Sequence, residues 1–118
     1  MTDQPTTLAP SVYVPQEPSR WDAALQMHVP SVNLRPAMKY GSIKVLMPPN
    51  ISVMFASPTV QALKEKLAHA TADDFLVAVG DPTLIATCAG IMLRRHGRLN
   101  LLKWDRRESQ YALVEVVL

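Results

Sequence analysis

The sequence predicts a small α/β domain of two or three layers. A mainly parallel central sheet carries two helices and a C-terminal antiparallel hairpin, with an extended N-terminal arm in front. Three observations predict this. Phe75–Val79 is an unbroken apolar run between Asp73-Asp74 and Gly80, as a strand buried on both faces of a parallel sheet requires. The run leads through Asp81-Pro82 directly into a helix-length apolar segment, the alternation typical of α/β folds. Proline, finally, is concentrated early: eight of the ten prolines precede residue 50, and the other two are Pro58 and Pro82.

The prolines divide the chain into an arm, residues 1–40, and an α/β domain, residues 41–118. Each proline fixes its own φ and biases the residue before it toward extended geometry, so the arm is expected to run over a surface. Within it, Ser19-Arg20-Trp21-Asp22 has the form of a helix start and predicts one or two helical turns ending near Met27. Tyr13, Trp21 and Leu25 are the expected arm anchors. They need cover either from this chain's own core or from a second copy, so the arm packs in cis or holds copies together in trans.

From Gly41 the pattern becomes regular. Ile43–Met47 predicts a short strand stopped by Pro48-Pro49, and 51–56 a second weak strand. Ser57 is placed to cap a helix opened by Pro58, with Val60, Leu63 and Leu67 at helical spacing. After the strand at Phe75, Asp81-Pro82 repeats the cap-and-proline device for a second helix ending near Arg95, and Gly97 takes its C-terminal position. Ala86 and Gly90 would give this helix a flat strip for close backbone approach. Leu99–Trp104 and Tyr111–Leu118, joined by a polar segment, predict the hairpin.

Composition narrows the function. At 118 residues, 48% of them hydrophobic and 19% charged, the chain is long and apolar enough for one folded domain. The single cysteine, Cys88, forbids an intramolecular disulfide, and the N-terminus lacks a signal-peptide pattern; both suggest the cytoplasm. A net charge of +2 argues against wholesale polyanion binding. Its distribution is uneven, however. Arg94, Arg95, Arg98, Lys103, Arg106 and Arg107 fall between residues 94 and 107, opposed only by Asp105 and interleaved with Trp104 and followed by Tyr111.

This basic and aromatic cluster has three readings. It forms a solvated rim that discourages edge pairing, a phosphate-contacting and base-stacking face, or a face for an acidic protein. The turn Gly80-Asp81 is a candidate ligand turn, because ligands of open parallel sheets sit beyond strand carboxyl ends at helix N-termini. No glycine-rich phosphate loop accompanies it, and Asp81 would repel a phosphate, so capping is the simpler role. His28, His69, His96 and Cys88 lack metal-ligand spacing. Asp73 and Asp74, being adjacent on an extended chain, point opposite ways. No cofactor, metal or catalytic residue is assigned, and the chain is read as a non-enzyme.

Four phrases, Pro18-Ser-Arg-Trp-Asp22, Tyr40-Gly-Ser-Ile-Lys-Val-Leu-Met-Pro-Pro49, Asp73-Asp-Phe-Leu-Val-Ala-Val-Gly-Asp-Pro82 and Leu102-Lys-Trp-Asp105, resemble small uncharacterised accessory proteins of tailed bacteriophages. The resemblance spans residues 12–118. It implies a phage-encoded accessory protein working in the host cytoplasm and carries no catalytic residue across. The combined expectation is a binding module. It recognises a protein partner through Arg94, Arg95, Arg98, Lys103, Trp104, Arg106, Arg107 and Tyr111, and it self-associates or docks by its arm. The alternatives are a nucleic-acid binder using the same face, and a small-ligand or nucleotide site at Gly80-Asp81.

Overall fold

The apolar run at Phe75 forms the middle strand of a five-stranded sheet. A computed structural model describes residues 9–49 and 56–118. In chain order the elements are β1 (Ser11–Gln16), β2 (Ser19–Asp22), β3 (Met27–Pro30), a 3-10 helix (Arg35–Tyr40), β4 (Ser42–Met47), α1 (Ala56–Lys66), β5 (Phe75–Val77), α2 (Pro82–His96), β6 (Arg98–Asp105) and β7 (Gln110–Val117). The sheet order is β4-β1-β5-β6-β7. The first four of these run parallel, and β7 returns antiparallel to β6 with Leu102 opposite Leu113 and Trp104 opposite Tyr111. The mainly parallel α/β architecture and its C-terminal hairpin follow the sequence prediction.

Alternation along the strands splits the core into two layers. Tyr13, Leu76 and Leu99 face α1 and α2, where they meet Leu63, Leu67, Leu84, Cys88 and Met92. Val12, Val14, Val77, Leu102 and Tyr111 face the other way and are covered by Ala37, Leu34 and Tyr40 of the 3-10 segment. Burying a leucine side chain contributes about 1.5–3 kcal/mol, so Leu63, Leu67, Leu76 and Leu84 dominate the helical side.

The β5–α2 unit forms from local signals. The Asp81 carboxylate accepts a hydrogen bond from the Thr83 backbone N–H at 2.8 Å, Pro82 opens the helix, and Gly97 closes it in a left-handed conformation with φ 70°. Lys103, Arg106 and Arg107 sit at or beside the β6–β7 turn, whereas Arg94 and Arg95 end α2 and Arg98 opens β6.

The arm requires correction at two places. Residues 11–16 are no surface segment: they form the second strand of the sheet, buried along its whole length. Pro15 hid this, since proline inside a run argues against a central strand. It is accommodated because the β1–β5 pairing ends at Tyr13, before the position where Pro15 lacks a donor. Residues 19–30 form an antiparallel hairpin in place of the expected helical turns. Asp22 is the reason. Its carboxylate accepts from the Ala24 and Leu25 N–H groups at 2.9 and 3.1 Å and closes a tight turn, where one helical turn would gain little cooperative stability. Of the anchors, Tyr13 is in the core, while Trp21 and Leu25 on this hairpin are 54% and 61% exposed.

Smaller differences concern the first helix and α2. The expected strand at 51–56 lies outside the described residues apart from Ala56, which already begins α1, so Ser57 and Pro58 stand in the helix's first turn. Ala86 and Gly90 face away from the sheet, and no neighbour approaches Gly90.

Candidate functional site

The parallel strands β1, β5 and β6 end on one side of the sheet, the side where α/β folds place ligands. Here Val79 after β5, Trp104 near the end of β6, Arg106 in the following turn, Tyr111 in β7 and Ser31-Val32-Asn33 after β3 enclose a cleft of about 370 Å³. A more open depression of about 390 Å³ adjoins it, lined by Lys103, Trp104, Asp105, Arg106, Arg107 and Ala112. Trp104 and Arg106 belong to both, forming the ridge between them.

The ridge is held from behind. The Trp104 indole lies edge-on to the Tyr111 ring with centroids 5.0 Å apart. Tyr111 is buried, and its hydroxyl donates to the Asn33 carbonyl at 2.8 Å; its own carbonyl accepts from the Tyr40 hydroxyl at 3.1 Å. Burial pushes the Tyr111 hydroxyl above its ordinary value, so it remains a donor. Asp105 is occupied locally: its carboxylate accepts the Arg107 and Glu108 N–H groups and shapes the turn. Among the described residues, the charged ends of Lys103, Arg106 and Arg107 form no ion pair.

The remaining cations are elsewhere. Arg98 and Asp105 lie at opposite ends of β6, roughly 23 Å apart at ~3.3 Å per residue. A cluster continuous in sequence is therefore two clusters in space. Arg95 is engaged: its guanidinium donates to the carbonyls of Leu67 and Lys64 at 2.5 and 3.3 Å and caps the end of α1. Arg94 shares a shallow groove with Lys64, Ile91 and Arg95. Gly80-Asp81 is likewise committed to structure. Gly80 has φ 104°, and a Cβ there would lie 2.7 Å from the Gln16 carbonyl oxygen. The Asp81 N–H donates to the Gln16 side-chain oxygen at 3.0 Å.

A family model described as Phage Pam3 gp32-like protein matches residues 10–118. The chain belongs to the Phage Pam3 gp32-like family. No curated protein and no solved structure matches it significantly.

In this gp32-like chain, three buried polar residues join strand ends, a role that no local sequence signal marks. Gln16 holds Asp81 on one side and donates to the Pro48 carbonyl at 2.9 Å on the other. Asp74 accepts from Ser11 N–H and Thr71 N–H, both at 2.8 Å, while Asp73 is exposed, so the two carboxylates do not converge. Asn100 donates to the carbonyls of Ala72 and Asp74. Each sat inside an apolar or turn-like stretch where only the tertiary partner reveals its role. Cys88 is fully buried with its thiol pushed up to about 12 by burial. Among the described residues no three His, Cys, Asp or Glu side chains are grouped to hold a metal, and no helix is long and apolar enough to cross a membrane.

Proposed function

We propose that this phage-family protein is a non-enzymatic accessory module that recognises an acidic protein surface in the host cytoplasm. The face is the carboxyl-end ridge of Trp104 and Arg106, flanked by Lys103 and Arg107. One observation carries the reading: a partly exposed tryptophan is braced from behind and set among cations that form no ion pair with a described acidic side chain. Tryptophan and arginine are the side chains most often dominating protein interfaces, particularly beside a cleft that excludes water. Arg94, Arg95 and Arg98, at the other end of β6, fall outside the proposed face.

The same ridge favours a second reading. An indole beside guanidinium groups also suits base stacking with phosphate contact. The experiment is a capture from host lysate with the wild type and with Arg106→Glu/Arg107→Glu. The proposal expects one stoichiometric band that survives nuclease and is lost in the double variant, whose circular dichroism stays unchanged. Retention on heparin that falls steeply with salt, together with nuclease-sensitive capture, replaces it with the nucleic-acid reading. Equal capture by both chains removes the ridge from consideration.

A further inference from the structure

The two edges of the sheet are built differently. At one edge, β4 carries Lys44 at its centre and is followed at once by Pro48-Pro49. Lysine and proline are the usual means of keeping an edge strand from pairing with another chain. At the other edge, β7 is eight residues long, has neither lysine nor proline, and carries a single charge, Glu115. The basic residues expected to guard this hairpin lie in its turn and on β6, away from β7's outer edge.

Among the described residues no strand pairs with that outer edge. Tyr111 and Val116 pack into the core, but apolar side chains of β7 are exposed on both faces. Leu113 stands on the side of Leu102 and is 42% exposed; Val114 stands on the side of Leu101 and is 41% exposed. Val117, farther along, is 74% exposed. A helix laid on one face would cover only one of these sets. An added strand covers both and also satisfies the outward backbone groups of Leu113, Glu115 and Val117, beyond the Tyr111 carbonyl that already accepts from Tyr40.

We propose that the occupant is a second copy of this chain, β7 pairing antiparallel with β7 to join two sheets into one. The strand is suited to its own image. Two-fold pairing centred between Ala112 and Val114 places Val114 and Leu113 against apolar neighbours of the second copy. It keeps Glu115 from facing itself and sets it opposite Tyr111 of the second copy, at the end of the strand that leads into the basic Arg106-Arg107 turn. The chain's net charge of only +2 adds little repulsion between copies.

The test is light scattering on the full chain across a concentration series, alongside Leu113→Lys, Val114→Lys and Glu115→Lys. The wild type is expected at twice 13.1 kDa. The two apolar-to-lysine variants are expected at half that mass with unchanged circular dichroism, and Glu115→Lys at a weaker dimer. Hydrogen exchange on the wild type gives an independent reading, with protection of the β7 amides rising with protein concentration. A wild type that stays monomeric, a dimer indifferent to lysines in β7, or β7 protection independent of concentration overturns the proposal.

Discussion

The Trp104 ring meets the Tyr111 ring edge-on, with planes inclined at 68° and with the Tyr111 hydroxyl anchored to Asn33. This contact ties the end of β6 to β7 and, through Asn33, to the segment after β3. It also fixes which face of the indole is left outward. Removing Trp104 therefore separates binding from folding.

Trp104→Ala loses an aromatic pair that contributes about 0.5–1.5 kcal/mol beyond its area. Urea unfolding is expected to show a loss larger than this, because the partly buried indole also forfeits its area burial, with a cooperative transition retained. Partner capture is expected to fall by far more. Capture at wild-type level by a folded Trp104→Ala protein contradicts the proposed ridge.

Arg94 and Arg95 are neighbours with different duties. Arg95 donates to two carbonyls at the end of α1, so Arg95→Ala is expected to cost on the order of 1 kcal/mol, discounted for the partial exposure of the guanidinium. Arg94→Ala removes no side-chain hydrogen bond to a described residue and should stay within about 0.5 kcal/mol of wild type. Thermal unfolding of both variants in one buffer compares them directly.

Two glycines respond oppositely to the same methyl group. Gly80→Ala places a Cβ against the Gln16 backbone at a positive φ of 104°, and a destabilisation of about 1–3 kcal/mol is expected. Gly90 lies inside α2 with open space around it, so Gly90→Ala is expected to stabilise by about 0.5–1 kcal/mol. Denaturant midpoints with matched slopes give both values.

Cys88 makes stability depend on pH at the alkaline end. Burial raises its folded pKa from 9.0 to about 12, so the unfolded chain releases the proton first. The contribution is intact below pH 9.0 and is lost as pH climbs toward about 12; Tyr13 and Tyr111, raised in the same direction by burial, add to the slope. Cys88→Ala is expected to flatten this alkaline decline when melting is followed from pH 8 to 11. Native protein should also resist thiol alkylation at pH 8, reacting only once denatured.

Much of the fold was legible because its signals are local. Asp81 caps α2 through a residue two positions away, and Gly97 closes it on Leu93 four positions back. The candidate site was only half legible. Trp104, Arg106, Arg107 and Lys103 stayed together since a tight turn keeps sequence neighbours close. Arg94, Arg95 and Arg98 were separated from them by the length of a strand.

Sequence alone determined the β5–α2 unit, the C-terminal hairpin and the basic, aromatic composition of its turn. Tertiary structure decided that residues 11–16 lie inside the sheet, because a parallel strand is defined by partners far along the chain: Val14 pairs with Val45, and Tyr13 with both Lys44 and Leu76. It also decided which arginines face solvent and which brace a helix. Caps and periodicity act over a few residues, whereas pairing and burial are settled only when distant segments meet.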